Sequence, residues 1–368
     1  MPGTRGGPRG LHGSGDMELR DQLQATLGTA YSIEEELSGG GMSRVFVAEE
    51  RALGRRVVVK VLHPDLGGAV NIDRFRREIR MAARLRHPHI VPVLTAGELD
   101  GMPYYTMPLE DGQSLRGRLA ATGPLSITDT MAILGDVAKA LSYAHSQGVV
   151  HRDIKPDNVL VCGDAAVVTD FGIAKALSDA KEPPAGALTQ EGMTMGTPAY
   201  MAPEQAAADP TMNHRADIYA VGCLAYELLT GRPPFVDASP RKLLAAQLSE
   251  LPQPVSQLRR DTPAPLAALV MRCLEKEPDR RPQHAMEIVR VLEALATGEH
   301  VKARTGAGAA PPAPRQRLGR ILLVYGLAFI PVAMVAKATM ITLGLPPWVL
   351  TAVMAVMVLA LPIVVRRA

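Results

Sequence analysis

Cysteine is scarce in this chain: 368 residues contain three, Cys162, Cys223 and Cys273, far apart in sequence. They show no metal-ligand spacing and an odd number cannot all pair. They therefore give no basis for a cysteine-built zinc site or a full disulfide framework, which suits a reducing cytosol. Buried, inert thiols are expected. Aromatic residues make up only 4% of the chain, with one Trp, so stacking platforms for nucleic acid are excluded. A formal net charge of +3 gives no electrostatic basis for nucleic-acid binding either. The N-terminus lacks a long apolar run. Residues 1–16, rich in Gly, Pro and Arg, cannot be a secretory signal peptide and have the composition of a disordered tail, with Met17 as an alternative start. Residues 1–30 are therefore expected as a flexible tail with room for a short helix.

From Tyr31 onward strand signals appear. Leu37 leads into the cluster Gly39-Gly40-Gly41, and Val45-Phe46-Val47 resumes a strand. Val57-Val58-Val59-Lys60-Val61-Leu62 is a β-branched run of the kind found in buried strands. Residues 72–85 switch to a helical period, with Ile72, Phe75, Ile79, Ala82 and Leu85 on one face. The arginines of the other face, Arg74, Arg77 and Arg84 among them, read as a solvated surface. After Asp111 apolar stripes at 127–145, 216–230 and 264–274 predict a mainly helical region. The expected class is α+β, a small strand-rich unit followed by a larger helical one.

Residues 296–319 turn to Ala, Pro, Gly and Arg, the composition of a linker. Two apolar stretches follow, about 321–343 and 348–365, each near the ~20 residues that cross a bilayer. Gly344-Leu345-Pro346-Pro347 leaves room only for a tight turn, so a transmembrane helical hairpin is expected. Neither stretch has the polar face of a buried core helix. Lys337 lies near the far end of the first span, where its stem can snorkel, and Pro331 kinks that span without breaking it. Arg315, Arg317 and Arg320 before the first span, and Arg366 and Arg367 after the second, place both termini in the cytoplasm. The expected location is the inner or plasma membrane, with two spans.

The most informative segment is His151-Arg152-Asp153-Ile154-Lys155-Pro156-Asp157-Asn158, with Asp170-Phe171-Gly172 beginning twelve residues after Asn158. It supplies a carboxylate for a substrate hydroxyl, a lysine beside it and two oxygen ligands for magnesium. Phosphoryl transfer needs such a set, because the protein's task there is positioning and charge neutralisation. At these residues the chain resembles the eukaryotic-type (Hanks-type) serine/threonine protein kinase family, in its bacterial, membrane-anchored branch. The resemblance covers roughly residues 31–295, with the motifs in family order. It implies a two-lobed kinase fold, with a β-rich N-lobe and a helical C-lobe. The bacterial branch is suggested by the Ala- and Arg-rich composition and by Pro203-Glu204-Gln205.

The resemblance also implies roles. Asp153 matches the catalytic-loop aspartate, and Lys155 the lysine that neutralises the γ-phosphate. Asn158 and Asp170 match the magnesium ligands, with Mn2+ as a substitute metal. Lys60, after a glycine loop and eighteen residues before Glu78, matches the strand lysine that holds the α- and β-phosphates of ATP, with Glu78 as its ion-pair partner. The glycine loop departs from the family's Gly-x-Gly-x-x-Gly-x-Val. Ser38-Gly39-Gly40-Gly41-Met42-Ser43 leads to Val45, and only Gly40 keeps its place. Backbone amides can still face phosphate there. Met107 corresponds to the gatekeeper, Pro108, Leu109 and Glu110 to the hinge, Leu160 to the floor beneath adenine and Val58 to its roof. Residues 196–204 match the end of an activation segment, in which Thr197 would bond Asp153 and Lys155. Glu204 would pair with Arg281, and Asp217 would brace the catalytic loop.

The implied function is a membrane-anchored serine/threonine protein kinase acting on protein substrates with ATP. The alternative is a nucleotide-binding pseudokinase scaffold at the membrane. That alternative is disfavoured, because Lys60, Asp153 and Asp170 are all present. A related small-molecule kinase is disfavoured by the intact activation segment. Arg152 before Asp153 implies activation by phosphate on that segment. By the family pattern Thr197 would be engaged with the catalytic loop, and Ser178 is too near Asp170 in sequence, which leaves Thr189 and Thr194. Autophosphorylation between two copies makes a homodimer a candidate partner.

Overall fold

The computed structural model describes residues 13–40, 43–62, 72–99, 101–171, 198–237 and 239–298. The first lobe is an antiparallel sheet of five strands in the order β1-β2-β3-β5-β4: β1 Tyr31–Gly40, β2 Ser43–Glu50, β3 Arg55–Leu62, β4 Thr95–Leu99 and β5 Met102–Pro108. The valine run of β3 makes it the central strand. Val57, Val58 and Val59 are all buried, as a strand covered on both faces requires. Gly54, at φ +62°, supplies the left-handed turn that returns β2 into β3.

Helix α1 (Gly13–Leu27) packs onto this sheet. Leu19, Leu23 and Leu27 recur every fourth residue and are buried with Ile33, Phe46, Val57, Val59 and Leu99. Gln24 ties the helix to β1. Its amide oxygen accepts the Ile33 N–H at 2.9 Å, and its amide nitrogen donates to the Tyr31 carbonyl at 2.9 Å. Residues 19–27 are thus part of the lobe's core, where a flexible tail with room for a short helix was expected, because their leucine stripe covers one face of the sheet. All three buried leucines follow Met17.

Helix α2 (Ile72–Ala82) buries Phe75 and Ile79 against Leu62 and Tyr105, while Arg76, Arg77, Arg80 and Arg84 are exposed. The second lobe is helical, as the apolar stripes predict. It holds α3 (Leu115–Thr122), α4 (Ile127–Ser146), the short α5 (Pro203–Ala206), α6 (Arg215–Thr230), α7 (Pro240–Ser249), α8 (Val255–Leu258), α9 (Ala264–Cys273) and α10 (Ala285–Ala296). Helix α6 is buried along almost its whole length; α4 and α9 pack against it, and α10 packs on α4 and α9. A three-stranded sheet, β6 (Gln113–Ser114), β7 (Val159–Cys162) and β8 (Ala165–Val168), carries the segments on either side of the candidate site.

Cys223 and Cys273 are buried free thiols, and burial pushes the Cys273 pKa up to about 12; Cys162 is half-buried. Glu204 and Arg281 form the expected pair, bidentate at 2.7 and 2.8 Å. Arg281 also donates to the carbonyls of Arg215, Glu275 and Lys276, so the buried guanidinium has acceptors on every side. Among the described residues no helix is long and apolar enough to cross a membrane. The linker 296–319, beyond residue 298, and the stretches 321–343 and 348–365 lie outside the described residues.

Candidate active site

The loop carrying Asp153 is shaped from below by Asp217, at the start of α6. This carboxylate has no solvent exposure. Its Oδ2 accepts the His151 N–H at 2.8 Å, and its Oδ1 accepts the Arg152 N–H at 2.7 Å. Two successive amides converge on one carboxylate because Arg152 sits at φ +70°, a conformation uncommon outside glycine. His145 Nε2 completes the set, 2.8 Å from Oδ2. Burial pushes the Asp217 carboxyl up, but the bond and charge of His145 and the backbone amide outweigh it and hold the group below its ordinary value. His151 is itself buried, with its Nε2 2.8 Å from the Thr169 carbonyl and its ring edge-on to Phe171 at 4.6 Å. The two halves of the motif are thereby locked together.

Within the loop, Lys155 Nζ donates to Asp153 Oδ2 at 2.8 Å. Asn158 Nδ2 donates to the same oxygen at 3.0 Å and to the Asp153 carbonyl at 2.8 Å. Among the described residues Oδ1 of Asp153 accepts no hydrogen bond, and the side chain is 31% exposed. One oxygen is thus fixed by two donors, and the other is left to meet an incoming hydroxyl.

Register in the first lobe places the remaining groups. Val45 and Tyr105 flank Lys60 as its Cα partners in β2 and β5, and Val58 faces Met107. Lys60 Nζ lies 2.6 Å from Asp170 Oδ2. The expected pairing therefore differs: the lysine sits on Asp170 and not on Glu78, which is 5% exposed and has the Arg77 Nε 3.7 Å away. Asp170 also has a positive φ, +64°, and its Oδ1 accepts the Tyr105 hydroxyl at 2.5 Å. Burial raises the Asp170 pKa, but the charge and bond of Lys60 and the Tyr105 bond outweigh it and keep the carboxyl below its ordinary value.

Pro108 ends β5, opposite Val57, and Leu109 and Glu110 follow it, all three partly buried; Leu160 lies on β7 opposite Val167. Gly112 closes that segment where a Cβ would meet the Val161 carbonyl oxygen at 2.5 Å, so no larger residue fits without a shift. Ser38, Gly39 and Gly40 pair with Val45, Arg44 and Ser43 at the β1–β2 turn. Gly41 and Met42 lie outside the described residues, as do Gly172, Ser178, Thr189, Thr194 and Thr197.

Two groups escape the motif-based expectation. One is Tyr105, whose place two residues before Met107 puts it on the same face of β5 and is the only sequence signal for it. The other is Arg116, which donates to Glu227 Oε1 at 2.7 Å and to the Tyr200 hydroxyl at 2.6 Å, while Tyr200 also bonds Glu227. This triad joins α3 and α6 to the segment before Glu204, and nothing in residue spacing announces it.

The donor set suits a hard cation. Among the described residues no three His, Cys, Asp or Glu side chains gather to hold a metal unaided. Magnesium in nucleotide sites typically takes one or two protein oxygens and completes its shell with phosphates and water. Asn158 and Asp170 match that demand.

Comparison with known proteins agrees with this geometry. The protein kinase domain family matches residues 31–291. The serine/threonine-protein kinase PknB of Mycolicibacterium smegmatis is 39% identical over 303 residues, covering 78% of this chain and 48% of that protein. PknB of Mycobacterium leprae is 39% identical over 268 residues, covering 71% and 42%. The chain thus spans about half the length of these relatives or less. A crystal structure of Rad53 1-466 in complex with AMP-PNP superposes with a TM-score of 0.59 at 25% identity, covering 73% of this chain and 67% of that one.

Because the Asp217 carboxyl is held below its ordinary value, its charge stabilises the fold above its unfolded pKa of about 3.9. That contribution is lost as pH falls through the lower folded value. Asp217→Asn should therefore be less stable than wild type near neutral pH, by about 3–5 kcal/mol. It should also lose less stability on acidification below about pH 4. Chemical denaturation across that pH range checks both.

Proposed function

Because the chain belongs to the Hanks-type serine/threonine protein kinase family, we propose that it transfers the γ-phosphoryl group of ATP to serine and threonine hydroxyls of proteins. The observation that carries this is Asp153, one oxygen gripped by Lys155 and Asn158 and the other open. Asp153 Oδ1 orients the substrate hydroxyl and takes its proton as the oxygen attacks. Lys155, beside the same carboxylate, offsets charge on the γ-phosphate, and Lys60 does so at the α- and β-phosphates. Asn158 and Asp170 would hold a magnesium ion, which supplies further charge neutralisation when bound. Lys60 must leave Asp170 to reach phosphate, so activity includes an exchange of partners at that carboxylate.

Removing the base should separate binding from chemistry. Asp153→Asn should bind a fluorescent ATP analogue like wild type and lose about 10²–10⁴-fold in initial rate on casein. Lys60→Met should lose both. Wild-type turnover in Asp153→Asn would reject the assignment.

We further propose that residues 321–343 and 348–365 anchor the kinase in the membrane as a two-span hairpin with both flanks in the cytoplasm. The support is their apolar length and the arginines on each side. A reporter fused after Ala368 should read the cytoplasm, and an exterior signal would overturn the hairpin.

Regulation by autophosphorylation at Thr189 or Thr194, between two copies of the chain, is the third part of the proposal. Its support is Arg152, whose Nε is buried with no hydrogen-bond partner among the described residues. A phosphate carrying about −1.5 to −2 charges would satisfy that group and order the segment. Mass spectrometry after incubation with ATP should find phosphate at one or both threonines. The Thr189→Ala/Thr194→Ala double variant should have a lower initial rate, and a rate equal to wild type would contradict activation through these sites.

A further inference from the structure

Tyr105 has no part in the phosphoryl transfer described above, yet its hydroxyl donates to Asp170 Oδ1 at 2.5 Å. Strand register explains the reach. Tyr105 is the Cα partner of Lys60 across β5 and β3, so both side chains rise from the same face of the sheet. They end on the two oxygens of one carboxylate, Tyr105 on Oδ1 and Lys60 on Oδ2. The tyrosine ring is 1% exposed and packs with Leu62 and with Phe75 and Ile79 of α2. Those neighbours are apolar and would accept a phenylalanine equally well. Among the described residues, Asp170 is the group that accounts for the polar end of the residue.

We propose that Tyr105 is a positioning residue that clamps Asp170 to the sheet and competes with the divalent cation for Oδ1. The proposal rests on the kinase assignment, in which Asp170 is a metal ligand. Magnesium demands near-ideal octahedral oxygen geometry, and an oxygen already committed to a short hydrogen bond must be re-aimed to enter its shell. A group that bonds Asp170 in the clamped arrangement favours that arrangement by the strength of its bond. Lys60 adds to the clamp, but it gains phosphate oxygens when it leaves. Tyr105 has no second acceptor among its apolar neighbours, so its bond is the part of the clamp that opposes metal entry.

The test is a magnesium titration of the full chain with a fluorescent ATP analogue, read as fluorescence anisotropy. Tyr105→Phe keeps the ring and removes only the hydroxyl. Its half-maximal magnesium concentration should fall about tenfold, the equivalent of one hydrogen bond to a charged group. Tyr104→Phe is the control. That side chain packs with the cluster on the other face of the sheet, and its substitution should leave the titration unchanged. If Tyr105→Phe does not fold, Tyr105→Met is titrated in the same way. An unchanged or raised half-maximal concentration in a folded Tyr105 variant overturns the proposal alone. A wild-type chain that binds no nucleotide at any magnesium concentration overturns the kinase assignment and the proposal with it.

Discussion

The site depends on one buried charge. Asp217 lies at 0% exposure, and a carboxylate there is costly by several kcal/mol unless it is matched by donors. Three donors match it: the amides of His151 and Arg152 and the ring of His145. The amides can both reach it only with Arg152 in a left-handed conformation, so the charge holds the loop in a shape it would otherwise avoid. Asp153 follows directly, and its orientation comes from that constraint before any substrate contact is considered. The same carboxylate joins α6, the most buried helix of the C-lobe, to α4 through His145. The rigid axis of the lobe and the chemical loop are therefore one hydrogen-bonded unit.

A second carboxylate, Asp170, plays the corresponding part between the lobes. It too has positive φ, and its two oxygens are held by residues opposite each other in the sheet. The contrast between the two is functional. Asp217 is enclosed by donors that have no other task. Asp170 is held by two side chains of the sheet, Lys60 and Tyr105, and under the proposed function Lys60 would exchange it for phosphate. Lys60 pairs with Asp170 and not with Glu78, and α2, which carries Glu78, packs on Tyr105 through Phe75 and Ile79.

Much of this was legible in the residue order. The catalytic-loop motif and the valine strand that carries Lys60 are read directly from the residues. The Glu204–Arg281 pair and the brace from Asp217 join residues 77 and 66 apart, and only the family pattern implied them. The α1 contribution was less visible, because Leu19, Leu23 and Leu27 mark an apolar stripe without saying what it covers. The partner of Lys60 was not legible at all: the family pattern pointed to Glu78, and the structure places the ammonium on Asp170, 110 residues away in sequence. Tyr105 sits in an alternating strand that assigns its face. Whether its hydroxyl meets a partner depends on a loop 65 residues away in sequence. The Arg116–Tyr200–Glu227 triad is hidden for the same reason.

The most direct test of the account is to incubate the purified full chain with ATP labelled on the γ-phosphate, in magnesium, with casein present, and to hydrolyse the products to their phosphoamino acids. The account predicts label on phosphoserine and phosphothreonine in casein and in the chain itself. A folded, nucleotide-binding chain that transfers no label, or transfers it only to tyrosine, would contradict it.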